Sequence, residues 1–130
     1  MAGSYYTWKE SMALEAHAAL SDGVGVLIAA DSNHFNGKTG LAAAGGKVDY
    51  ITVTKATEAG QSIDVARVNL GDIVQLRAAG AITFNADVAV NAAGAYVAAV
   101  ANDNVQYRAL QAAEDGSVFS AVRVDAFVKA

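Results

Sequence analysis

Glycine-bearing turn signals recur at short intervals along this chain: Asp22-Gly23, Asn36-Gly37, Gly45-Gly46, Glu58-Ala59-Gly60, Asn69-Leu70-Gly71, Ala93-Gly94 and Asp115-Gly116. The stretches between them alternate. Val24, Val26 and Ile28 interleave with Gly25, Leu27 and Ala29, Ile51 and Val53 with Thr52 and Thr54, and Val88 and Val90 with Ala89 and Asn91. Ile63 and Val65, then the run Val118 to Val124, continue a series of short β-branched segments. The 30 alanines among 130 residues favour helix by intrinsic propensity, but the period-two spacing outweighs that preference. Many short strands joined by glycine turns predict an all-β sandwich or barrel. Two segments are less decided: Ser11 to Leu20 fits both periods and is read as strand, and Ala109 to Asp115 is either a loop or one helical turn.

A chain of this length forms one compact domain, with enough core to fold without a disulfide or metal staple. The absence of cysteine excludes a disulfide scaffold, a zinc ribbon, a thiol nucleophile and a cysteine-ligated cluster. A net charge of -4 and nine singly scattered Lys and Arg argue against a nucleic-acid partner. No apolar run exceeds the seven residues Ala95 to Ala101, against the roughly 20 a membrane helix needs, so no membrane partner is expected either. The first ten residues lack a basic start and an apolar h-region, which predicts synthesis and retention in a cytoplasm. Mean hydropathy is +0.27 because of alanine, which buries little area, and the scarcity of large side chains suggests that contacts with other chains contribute to stability.

The chain also superposes on itself. Ala56 to Val68 lies on Ala112 to Val124 without a gap, with Ala, Glu, Gly, Arg and Val coinciding, and Leu20 to Ile28 lies on Ile82 to Val90 with apolar ends matched. The pseudo-repeats run from about 17 to 68 and 79 to 124. The six-residue difference in register is assigned to an insertion at Asp31 to Lys38. Two such copies are expected to close into a small barrel, residues 11–130, preceded by an extended N-terminal arm, residues 1–10.

Three further stretches carry a family resemblance: Ala78-Ala79-Gly80-Ala81-Ile82-Thr83, Val88 to Gly94, and Ala109-Leu110-Gln111-Ala112-Ala113-Glu114-Asp115-Gly116 with Phe119 to Val124. In order and spacing they resemble the small capsid cement or decoration proteins of tailed bacteriophages, from about Leu14 to Val124. Asn85 stands where that family has glycine after Ala-Ile-Thr, and Gln106-Tyr107-Arg108 replaces its glycine-valine start to the penultimate strand. The resemblance implies a β-tulip-like barrel, often trimeric, that binds the exterior of an expanded capsid and stabilises it. The implied partners are the major capsid protein and, in a homotrimer, further copies of this chain. The implied location is the virion's outer surface, after synthesis in the host bacterial cytoplasm.

Candidate chemistry is sparse. Asn36-Gly37-Lys38-Thr39 ends like a phosphate-binding loop, but Ser32 occupies the place of the first glycine and no helix pattern follows, so a hairpin turn is expected. His17 and His34 are the only histidines; with Glu15 or Asp31 they fall short of the three or four ligands zinc requires, and no metal or cofactor is expected. Ser62 and Ser117 have no partnering histidine motif. Glu58 and Glu114 are equivalent turn carboxylates of the repeat rather than a catalytic pair, so the chain reads as no enzyme. Arg67 and Arg123, each next to last in a strand, are either edge gatekeepers or cations that pair with carboxylates across an interface. Tyr5, Tyr6 and Trp8, beside Lys9, place three aromatics in the arm, where they anchor a capsid or subunit contact or else plug the barrel. The alternative function is a carbohydrate-binding β module with Trp8 and the tyrosines as its platform.

Overall fold

The structure, a computed structural model, describes residues 10–29 and 36–130. These form ten strands and no helix: β1 (Glu10–Glu15), β2 (Gly25–Ala29), β3 (Lys38–Gly40), β4 (Tyr50–Thr52), β5 (Ser62–Arg67), β6 (Ile73–Arg77), β7 (Asp87–Val90), β8 (Tyr96–Ala98), β9 (Asn104–Ala109) and β10 (Val118–Val128). The first five make a closed barrel in the order β1-β3-β2-β4-β5, and the last five a sheet in the order β6-β10-β9-β7-β8. Relabelling β1–β5 as β6–β10 turns one order into the other. The fold is all-β and barrel-like, and the duplication extends to the sheets themselves: each copy forms its own five-stranded unit.

Strand registers fix the equivalence. Leu14 faces Ile63 as Leu76 faces Phe119, and Val26 faces Tyr50 as Val88 faces Tyr107. The bridge Leu20–Ala56 reappears as Ile82–Ala113. Gly60 and Gly116 occupy corresponding turns, and Arg67 corresponds to Arg123, although Arg67 ends β5 whereas β10 continues to Val128. The copies begin one strand earlier than the sequence match, since Met12, Leu14 and Ala16 correspond to Val74, Leu76 and Ala78. Glu10, assigned to the arm by sequence, pairs with Arg67 in β1. Five of the six inserted residues sit in the β2–β3 hairpin, because Leu27 faces Gly40 where Ala89 faces Val97. The sixth lies in the turn before β5, so Ala56 corresponds to Ala113 rather than Ala112. Ala109 ends β9 and Leu110 to Asp115 is a loop, while β1 stops at Glu15, short of Leu20.

Burial follows the alternation. Leu14, Ala16, Leu20, Val24, Val26, Ile63 and Val65 fill the first barrel. The second core gathers Val74, Leu76, Val88, Tyr96, Tyr107 and Phe119, and then crosses into the first copy through Ala42, Val48, Ile51 and Val68. Burying each large side chain contributes about 1.5–3 kcal/mol, so these few bulky residues offset the shortage left by alanine. Tyr96 and Tyr107 meet edge to face with centroids 5.7 Å apart.

The two copies share a polar seam as well. The buried Gln106 amide accepts from Val48 N–H at 2.9 Å and donates to Val48 C=O at 3.2 Å. Backbone bonds run beside it: Gly25 N–H to Gly94 C=O, Gly45 N–H to Val90 C=O and Arg77 N–H to Gly23 C=O, at 2.8–2.9 Å. Arg77 also pairs with Asp22 at 2.6 Å.

Gly23 and Asn85 are equivalent turn residues, with φ of 79° and 67°. Asn85 is exposed, whereas Gly23 abuts the other copy, and a Cβ there would lie 2.9 Å from Arg77 N. Gly23→Ala is therefore expected to destabilise the fold by about 3 kcal/mol or more in urea unfolding, combining left-handed strain with a backbone clash. Asn85→Gly should change stability by less than about 1 kcal/mol, since asparagine tolerates this region and the gain in unfolded-chain entropy opposes the relief.

Candidate functional site

Arg67 and Arg123 come together. They line a cleft of about 340 Å³ where the copies meet, with Lys47 and Val48 from the β3–β4 connection, Leu70 from the β5–β6 connection, and Gln106 from β9. Equivalence under the repeat brings the two arginines to the same seam from opposite sides. Neither works as an edge gatekeeper: β5 lies between β4 and β1, and β10 between β9 and β6, because pairing on both flanks places both strands inside their sheets.

Their environments differ. The Arg123 guanidinium carbon lies 5.7 Å from the centroid of the buried Tyr107 ring, its Nη1 donates to Val68 C=O at 3.2 Å, and its Nε makes a longer contact with Val124 C=O at 3.4 Å. Arg67 is exposed and has no hydrogen bond or ion pair with another described side chain. Burial pushes the Tyr107 hydroxyl up to about 12, against the opposing pull of Arg123, and raises Tyr96 well above the ordinary value. Tyr96 Oη has no hydrogen-bond partner among the described residues and lies over Gly25, where a Cβ would come within 2.8 Å of it. Being buried, neither tyrosine offers a face to a sugar.

The remaining candidates stay apart. His17 Nδ1 is 2.6 Å from the buried Thr39 Oγ1, which also accepts from His17 N–H at 3.0 Å. Asn36 donates to Ala13 C=O at 3.0 Å, and Lys38 and Thr39 open β3. Asn36 to Thr39 thus completes a hairpin and closes the barrel by parallel pairing of Glu15 with Lys38. Glu58 and Glu114 are exposed in the turns before β5 and β10, Ser62 begins β5, and Ser117 directly precedes β10. No group of three His, Asp or Glu able to hold a metal occurs among the described residues. Tyr5, Tyr6, Trp8, Lys9, Asp31 and His34 lie outside the described residues. Sequence reasoning missed Lys47, Leu70 and Gln106 as partners of the arginines. Only Gln106 carried a signal, by standing where the cement-protein pattern has a small residue.

No family model and no curated protein matches the chain in sequence. Among solved structures, it is similar to the N base of the head fiber protein gp8.5 of bacteriophage phi29. The TM-score is 0.72 at 18% identity, covering 88% of this chain and 92% of that one. The likeness is one of fold, and its coverage takes in both copies.

Arg123→Ala should lower stability by about 1–2 kcal/mol, through loss of the ring contact and the Val68 bond. Arg67→Ala should stay within about 0.5 kcal/mol of the parent in the same urea titrations. A second expectation concerns alkaline pH. The folded chain keeps two phenolic protons that the unfolded chain releases near the ordinary tyrosine value of 10.0, so their contribution to stability is level below that pH and falls as the pH rises towards 12. Unfolding free energies at about pH 9 and about pH 11.5 should show this fall, and Tyr96→Phe/Tyr107→Phe should flatten it.

Proposed function

We propose that this chain is a structural protein of a tailed-phage virion that binds the outer surface of the capsid and stabilises the shell. In this reading it is a decoration or cement protein with no catalytic role, acts as a homotrimer, and has the major capsid protein as its partner. The observation that carries the reading is the fold likeness to the phage head fiber base, which extends over most of both chains. The resemblance of Ala78 to Thr83, Val88 to Gly94 and Ala109 to Val124 to cement proteins supports it independently. A lattice suits such a chain, because repetition turns a weak individual contact into firm attachment.

The arm supplies the proposed attachment. Tyr5, Tyr6, Trp8 and Lys9 combine aromatic area with one cation, a composition common at binding hot spots. Co-sedimentation with shells assembled from the major capsid protein of the same genome tests the reading, and light scattering tests the trimer. Trp8→Ala should leave unfolding cooperative and weaken shell binding about thirtyfold per site, equivalent to about 2 kcal/mol. An unmodified chain that never sediments with those shells would remove the proposal. A Trp8→Ala chain that binds normally but unfolds at much lower urea would make Trp8 a barrel plug instead.

A further inference from the structure

The seam cleft has the chemistry of a binding site. Among the side chains that line it, Lys47, Arg67 and Arg123 are cationic and Asp49 alone is anionic, in a protein whose net charge is -4. A local excess of positive charge on an acidic chain directs one kind of ligand to one place. Lys47 and Arg67 are exposed and have no ion pair with another described residue. Arg123 is held in position by the Tyr107 side chain and the Val68 carbonyl. A guanidinium whose orientation is already fixed gives up little freedom when it binds a carboxylate.

The walls narrow the ligand class. Val48 and Val68 are buried, and Leu70 stands 68% exposed on the rim. A bare inorganic anion gains nothing from such a rim, whereas an aliphatic side chain next to a carboxylate would cover it. A nucleic acid needs a track of cations along successive phosphates, and three cations around one cleft of an acidic protein provide none. We propose that this cleft binds an extended acidic peptide segment of a partner protein, with its carboxylate between Arg67 and Arg123 and a neighbouring aliphatic side chain against Leu70. Asp49 at the rim would disfavour a second carboxylate at its end of the cleft, which gives the bound segment a direction.

The test uses the isolated chain, so its outcome is separate from that of shell binding. Acetyl-Leu-Glu-Leu-Asp-amide is titrated into the labelled protein while the amide resonances of Val48, Asn69 and Leu70 are followed, with the Gln/Asn version of the peptide as control. Saturable shifts at those amides are expected, weakened about tenfold or more in the neutral peptide and in Arg67→Glu. Arg67→Gln provides a second variant should charge reversal disturb the fold, which unchanged resonance dispersion would exclude. Equal response to both peptides, or an unaltered response in both Arg67 variants, would overturn the assignment. So would sulfate reproducing the same shifts at lower concentration, or a single-stranded oligonucleotide binding more tightly than the peptide.

Discussion

One side-chain amide sets the relation between the two halves. Gln106 meets both the N–H and the C=O of Val48, doing for the β3–β4 connection what a neighbouring strand would do. Each of those buried backbone groups would cost about 1–3 kcal/mol if left without a partner. With the connection fastened, Val48 and Ala42 enter the second core, Gly45 pairs with Val90, and Lys47 is carried to the rim of the cleft. The cleft therefore depends on the seam and not on either copy alone.

The same seam explains where this chain departs from the cement-protein pattern. Gln106 fastens Val48, Tyr107 supports Arg123, and Arg108 approaches Asp87 at 3.4 Å beside Lys129. Three consecutive residues that replace a small pair thus serve copy-to-copy and strand-to-strand contacts. Asn85 illustrates the complementary case: its turn requires a left-handed residue but leaves the side chain exposed, so asparagine suffices where Gly23 must be glycine.

Much of this was legible in the sequence, and the limits have physical causes. Period-two alternation located most of the strands, and the turn glycines fixed the equivalence of Gly60 with Gly116 and of Arg67 with Arg123. The match between β1 and β6 escaped because Met12 and Leu14 against Val74 and Leu76 share only apolar character, and because Glu15 becomes Arg77 to reach Asp22. Nothing in the spacing could show that each copy forms its own sheet, since the outer strands meet only through single contacts such as Glu15 with Lys38 and Ala78 with Tyr96. The cleft was half visible: the repeated arginines stood out, whereas Lys47 and Leu70 look like ordinary loop residues until the seam brings them together.

The pairing of first strand with last in each copy also governs how the molecule can be made. β1 waits for β5 and β6 waits for β10, so neither sheet can be assembled by adding one hairpin after another as the chain leaves the ribosome. The first barrel can close once Arg67 has emerged, with its own separate core already complete. The second must then form against a surface that is already folded, drawing Val48 and Ile51 into its interior. Synthesis from one end thereby gives two units of the same strand order different histories, the earlier offering a folded surface to the later.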